Sequence, residues 1–192
     1  MPTEENSLSD VALVKKALQE PQAYAAIVEK YQPKLFWYIR RISNIENEDI
    51  EDLLQEIFLK VYRNLNNYDS DMKFSSWIYR IAHNEVISNY RKLQARPQMA
   101  KIEWEIKDDI LEQFVADVDI ESDLVRADYS GVIQNVFAKM DVKYKEVLLY
   151  KYFEEKSYEE ISDIIKKPVG TVGTLMSRAK KQFLKLYKLY EN

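Results

Sequence analysis

The sequence predicts an all-α protein built as two small helical domains joined by an acidic linker, and three observations lead there. Only 3 glycines and 5 prolines punctuate 192 residues, while 46% are hydrophobic, enough to bury real cores in mostly helical structure. Apolar residues recur at steps of three and four over long windows. Charge is divided sharply: residues 1–95 hold 12 basic and 14 acidic side chains, 96–128 hold 4 and 10, and 129–192 hold 12 and 8. The domains therefore read as 1–95 and 129–192, with 96–128 as the linker.

Ser9 and Asp10 can cap a first helix over 11–19, which stops before Pro21. A second helical pattern is expected in two pieces around Pro33, with Tyr24, Ile27, Val28 and Tyr31, then Leu35, Tyr38, Ile39 and Ile42, as its apolar positions. The clearest helix spans 48–66. There Ile50, Leu53, Leu54, Ile57, Phe58, Val61, Tyr62 and Leu65 form one core stripe, opposite Glu51, Asp52, Gln55, Glu56, Lys60 and Arg63. Its acids crowd the first turns and its bases the last, as the helix dipole favours. A polar loop over 66–73 leads to a helix over about 74–91, and the four helices make one bundle. Pro97 ends the last of them. Periodicity then fails through Glu103, Glu105, Asp108, Asp109, Glu112, Asp117, Asp119, Glu121 and Asp123, although Trp104, Ile106 and Phe114 mark the linker as able to bind something.

A second helical unit over about 128–190 includes Val132, Val136, Phe137 and Met140, then the apolar run 147–153. Ser157 with Glu160 predicts a capping box opening a short helix. No acid follows between Asp163 and Glu191, while Lys166, Lys167, Arg178, Lys180, Lys181, Lys185 and Lys188 do. A short helix, a tight turn and a basic second helix is how a helix-turn-helix lays a helix in the DNA major groove. Ile161, Ile164 and Ile165, with Val172, Leu175, Met176, Ala179 and Phe183, read as core. Thr174, Ser177, Arg178, Lys181 and Lys185 form the opposite stripe, with hydroxyls and bases for base edges and phosphates. A basic helical face can equally be a solvated one; the turn motif favours DNA.

Composition excludes much. Without cysteine there is no disulfide, thiolate catalysis or zinc–thiolate site, and His83 is the sole histidine. No metal or other cofactor is expected, and no glycine-rich phosphate loop supports a hydrolase or transferase. The N-terminus lacks the regions of a signal peptide and no long apolar run exists, so the chain is expected to be cytoplasmic, without membrane insertion. The overall charge of -4 is unusual for a free-standing DNA binder and suggests that a larger partner supplies most of the attraction to DNA.

Three segments, in order, carry a family resemblance: Asp52-Leu53-Leu54-Gln55-Glu56-Ile57-Phe58-Leu59; Phe74-Ser75-Ser76-Trp77-Ile78-Tyr79-Arg80-Ile81-Ala82-His83-Asn84; and Tyr158-Glu159-Glu160-Ile161 through Pro168-Val169-Gly170-Thr171-Val172. Together they resemble the two-domain, extracytoplasmic-function sigma factors of bacterial RNA polymerase, from about Val11 to Tyr187. The resemblance implies a transcription initiation factor, not an enzyme, that binds polymerase core and directs it to promoters. Region two, over 1–95, would bind core through Asp52, Gln55, Glu56 and Leu59. It would melt and read the single-stranded minus-ten element with Asn67, Ser70, Lys73, Trp77, Arg80, His83, Asn84, Arg91 and Lys92. Region four, over 129–192, would dock the duplex minus-thirty-five element through Thr171, Thr174, Ser177, Arg178, Lys181 and Lys185. The linker would thread a basic channel of the polymerase, and an anti-sigma factor is an implied partner.

Several positions depart from the family pattern. His83 stands where arginine is common, and Ser88 where aspartate is usual. Gly173 and Leu175 replace a basic residue and an arginine, and Lys166 occupies a frequent glycine position. Glycine inside a helix costs about 1 kcal/mol relative to alanine. Residue by residue, plainer readings stay open: a solvated acidic face at 52–56, a core Trp77 and a spacer linker. Two other functions remain as well. One is a stand-alone helix-turn-helix regulator; the other is a polymerase-bound adaptor with weakened DNA reading.

Overall fold

The computed structural model describes residues 9–43, 45–93, 114 and 129–190, with the backbone alone at 90–93 and 129–130. Apart from Phe114, the expected linker lies outside these residues, as do the side chains of Arg91 and Lys92. Among the described residues all regular structure is helical: α1 (Asp10–Gln19), a 3-10 turn (Pro21–Ala23), α2 (Tyr24–Ser43), α3 (Asn47–Asn64), a second 3-10 turn (Leu65–Asn67) and α4 (Phe74–Leu93). After these come α5 (Tyr129–Lys139), α6 (Val142–Leu148), a π turn (Leu149–Phe153), α7 (Tyr158–Ile165) and α8 (Val169–Tyr187). None is long and apolar enough to cross a membrane. The chain divides into two compact units, one built on α1, most of α2, α3 and α4, the other on Arg40–Glu46 and α5 to α8.

In the first unit each helix buries one stripe. Ser9 caps α1, its hydroxyl accepting from the Ala12 amide at 3.3 Å, and Leu13, Val14 and Ala17 turn inward. α3 buries Ile50, Leu53, Leu54, Ile57, Phe58 and Val61, and α4 buries Phe74, Ile78, Tyr79, Ala82 and Val86. Tyr62, expected in the core stripe, is instead 45% exposed. Its ring meets Tyr24 edge-on at 5.0 Å, and Tyr24 donates to the Phe58 carbonyl at 2.7 Å, so Tyr62 covers the flank of the core.

Pro33 does not divide α2, which runs unbroken over 20 residues. A proline there removes the hydrogen bond to the Glu29 carbonyl and crowds it. Pro33 lies on the exposed side, where water can satisfy that carbonyl. Meanwhile Ile27, Tyr31, Leu35, Tyr38, Ile39 and Ile42, all buried, hold both halves to one stripe. Packing overrides the local breaker.

The second unit closes on an aromatic core. Phe114, 1% exposed, lies among Phe183 at 4.8 Å, Tyr152 at 5.0 Å and Phe137 at 5.7 Å between ring centroids. Burying such a ring contributes about 2–3 kcal/mol. Ile133, Val136, Ile161, Ile164, Val172, Met176 and Ala179 complete the core; Ile165 and Leu175, expected there, are only half-buried. Two charged residues of α6 are buried too. Glu146 accepts from the Tyr150 hydroxyl at 3.2 Å. Lys145 donates to the Ile42 carbonyl at 3.1 Å, at the C-terminal end of a helix, where a cation suits the dipole.

Two measurements test these assignments. Pro33→Ala is expected to raise unfolding stability by at least about 1 kcal/mol, read by chemical denaturation. Burial pushes the Lys145 ammonium down to about 8 from 10.5. Between those pH values the unfolded chain binds more protons, so this group's contribution to stability rises with pH and is least favourable below pH 8. The stability of the native chain relative to Lys145→Met should therefore increase from pH 7.5 to 9.5.

Candidate functional site

Three surfaces gather the residues singled out by sequence. On α3, Asp52, Gln55, Glu56 and Leu59 are all exposed, Leu59 at 53%. Because the helix turns every 3.6 residues, the buried stripe forces these four to one outward face. Asp52 and Glu56 also line a shallow cleft with Asp49, Leu53 and Asn89, so α4 contributes an amide that the α3 pattern did not reveal. Lys60 and Glu85, paired at 2.6 Å, tie the two helices together beside it.

The second surface is loop 66–73 with the exposed side of α4. Asn67, Ser70 and Lys73 are exposed. The loop is a built turn: the Asp71 amide donates to Asp69 Oδ1 at 3.0 Å, and the Met72 amide to the Asp69 carbonyl at 3.2 Å. Tyr68, which the sequence reading passed over, is the pin. Its hydroxyl donates to the Met72 carbonyl at 2.6 Å, and its ring meets Phe74 at 5.2 Å and Trp77 at 5.5 Å. An aromatic within a largely polar loop was the available signal.

Trp77 is half-buried and stacks on Phe74 at 5.6 Å. One part of its ring is core and another faces out. Helical spacing places Lys73, Trp77, Arg80 and Asn84 along one side, with His83 toward its edge. Arg80 and His83 are half-buried and Asn84 is exposed. α1 braces this region: Asp10 accepts from Tyr31 at 2.8 Å and pairs with Lys30 at 2.9 Å. Burial first, then Asp10, raises the pKa of the Tyr31 phenol, and burial with Asp10 and Asp69 raises that of Tyr68. Both phenols stay neutral donors.

The third surface is the helix-turn-helix of α7 and α8. The capping box forms as expected: Ser157 Oγ accepts from the Glu160 amide at 3.2 Å, and Glu160 Oε2 from the Ser157 amide at 3.0 Å. Glu159, in the same first turn, has its pKa lowered by hydrogen bonding to its own amide and to Ser157. Ser162 holds the turn at both ends, its hydroxyl donating to the Lys167 carbonyl at 2.6 Å and its carbonyl accepting from the Lys167 amide at 3.2 Å. Between them Lys166 adopts φ 52°, ψ 50°, the left-handed conformation that explains why glycine suits this position.

On α8, Thr171, Thr174, Ser177, Arg178, Lys181 and Lys185 are all exposed, opposite buried Val172, Met176, Ala179, Phe183 and Tyr187. The Thr174 hydroxyl donates to the Gly170 carbonyl at 3.0 Å, leaving its methyl and oxygen lone pairs for a ligand. Half-buried Leu175 belongs to the packing side. Among the described residues no group of acids and histidine is placed to hold a metal.

Lys166→Gly should stabilise the second unit by about 1 kcal/mol by removing the left-handed strain. At Gly173 an added Cβ would lie 4.0 Å from Tyr158 Cε2, ordinary contact, so Gly173→Ala should add about 1 kcal/mol through helix propensity. Thermal melts of the two variants decide both.

Comparison with known proteins finds two matching regions. Residues 27–96 match Sigma-70 region 2, and residues 130–183 match Sigma-70, region 4. The chain is 35% identical to the ECF RNA polymerase sigma factor SigW of Bacillus subtilis, over 90% of this chain and 91% of that one. It is 29% identical to the ECF RNA polymerase sigma-E factor of Haemophilus influenzae, over 90% and 92% respectively. Among solved structures its fold resembles CnrH in complex with the cytosolic domain of CnrY, with TM-score 0.65, 19% identity and 92% and 96% coverage. It also resembles sigma factor RpoE in complex with the anti-sigma factor NepR from Bartonella quintana, with TM-score 0.59, 19% identity and 90% and 98% coverage. With two region matches in sequence order and near-full-length kinship at this identity, the chain belongs to the ECF sigma factors of RNA polymerase.

Proposed function

We propose that this chain is a promoter-specificity subunit that acts in the cytoplasm, binding RNA polymerase core and directing it to a set of promoters. The near-full-length likeness to an ECF sigma factor carries this reading, and the three exposed surfaces supply its parts. The α3 face of Asp52, Gln55, Glu56 and Leu59 binds core: carboxylates suit cationic partner groups, and exposed Leu59 adds apolar area. Loop 66–73 and α4 open the minus-ten element. Asn67 and Ser70 offer hydrogen bonds to an extruded base, Trp77 offers a ring for stacking, and Lys73, Arg80, Arg91 and Lys92 offer charge for phosphates. His83 and Asn84 extend that surface.

α8 docks the minus-thirty-five duplex. Thr171, Thr174, Ser177 and Arg178, toward its N-terminal half, meet base edges and nearby phosphates, while Lys181 and Lys185 hold the backbone. The absence of an acid between Asp163 and Glu191 keeps this face attractive to DNA. An anti-sigma factor regulates the chain, a reading supported by the likeness of its fold to sigma factor RpoE in complex with the anti-sigma factor NepR. The domains read as region two over 1–95 and region four over 129–192, with 96–128 between them.

An adaptor with weakened DNA reading is the second possibility, favoured by Leu175, whose position among packing residues leaves no arginine there for a base. Reconstitution with bacterial core polymerase and a promoter library separates the two. Specific transcripts are expected, and Asp52→Ala with Gln55→Ala should abolish them by removing core binding. Core binding without transcripts from any promoter would select the adaptor. In the same assay Arg178→Ala should cost about 1–3 kcal/mol in promoter affinity and relax base preference, whereas Lys181→Ala should weaken all promoters alike and lower the salt slope by about 1.

A further inference from the structure

The turn between α7 and α8 holds two cations that stand outside the row on α8. Lys166 and Lys167 are both exposed, and among the described residues no ion pair engages either ammonium. Their backbone is fixed. The Ser162 carbonyl accepts from the Lys166 amide and from the Lys167 amide at 3.2 Å, while the Ser162 hydroxyl donates to the Lys167 carbonyl at 2.6 Å. Lys166 sits at φ 52° and ψ 50°, where glycine fits without penalty and a long side chain does not. A lysine stands there against the local preference, and strain of this kind clusters at functional positions.

The composition of α8 shows what the turn supplies. Its first nine residues, Val169 to Ser177, carry no charge, and its first cation is Arg178. Gly173 has no side chain to offer, and Leu175 is half-buried on the packing side. Thr171 lies seven residues before Arg178, roughly 10 Å along the helix axis. In a helix-turn-helix the first helix crosses the DNA backbone and the start of the second enters the major groove. The turn that joins them therefore passes the rim of the groove, where the phosphates lie. Lys166 and Lys167 are the last charged residues before α8, so they stand at that rim.

We infer that Lys166 and Lys167 form a phosphate-binding site for duplex DNA at the entrance to α8, supplying charge that the first half of that helix lacks. The inference rests on reading α8 as the helix that docks on duplex DNA. Phosphate contacts position a protein on DNA without selecting bases, so the site tightens binding to all sequences alike. Each contact adds about 0.9 to the slope of log affinity against log salt, which is about eightfold in affinity over one decade of salt. Lys166 thus weakens the fold and strengthens DNA binding, and a single substitution moves the two in opposite directions.

The test is fluorescence anisotropy of labelled DNA duplexes of several sequences, titrated with salt. The chain is loaded on bacterial core polymerase, with core alone as the baseline, and thermal melts are run on the chain itself. Lys166→Gly should raise the melting temperature yet weaken binding about eightfold at 0.1 M salt, with a slope smaller by about 0.9 and unchanged base preference. Lys166→Arg keeps the charge and should keep affinity and slope. Lys167→Gln should match the loss of affinity without the gain in melting temperature. Lys143→Gln removes one charge from the exposed side of α6 and should leave affinity within about twofold.

Unchanged affinity and slope in Lys166→Gly and Lys167→Gln, while Arg178→Ala with Lys181→Ala weakens binding, would make the turn lysines merely solvated and overturn the inference. A loss in Lys143→Gln equal to that in Lys166→Gly would reduce the effect to net charge and overturn it as well. If neither the turn variants nor the Arg178 and Lys181 pair alters binding, or the chain adds nothing to the binding of core alone, the α8 reading itself fails and the turn site falls with it.

Discussion

The 3.6-residue turn of the helix, combined with burial of one stripe, decides where the candidate surfaces on α3 and α8 lie. Once Leu54, Ile57 and Val61 of α3 are driven into the core, Asp52, Gln55, Glu56 and Leu59 have nowhere to point but outward. The same applies on α8, where Val172, Met176, Ala179 and Phe183 fix the rotation of the helix. The hydroxyls and bases opposite are thereby aligned in one row. Core packing is therefore also the positioning device, and neither face requires a dedicated support beyond it.

Between these regular faces the molecule uses short-range hydrogen bonds wherever direction must change sharply. Ser157 and Glu160 exchange bonds at the start of α7, and Ser162 closes the turn behind it. Asp69 and Tyr68 do comparable work in loop 66–73. Each satisfies backbone groups that a bend would otherwise leave open. The segments proposed to meet DNA are thus folded in advance and lose little further backbone freedom on binding.

Much of this was legible in the sequence, and the failures follow from competing forces. The stripe of α3 and the capping box of α7 were readable because both are local patterns. Pro33 misled because its local penalty is outweighed by six buried residues of α2 acting together. Tyr62 fitted the period but lies at the border of the stripe, where Tyr24 lets it stay partly exposed. Phe114 was visible only as an oddity, since its partners lie on elements far along the chain and nothing local announces them. Tyr68 was missed for a similar reason: its value comes from Trp77 and Phe74, not from its neighbours in the loop.

The full exposure of the α8 row has an evolutionary consequence. None of Thr171, Thr174, Ser177, Arg178, Lys181 or Lys185 is needed to fill the core. Exchanges at such positions usually change stability by no more than about 0.5 kcal/mol. The fold and its outward lettering can thus drift separately. A duplicated copy of this gene could acquire a new sequence preference through a few changes on α8 while still folding and still presenting the same α3 face.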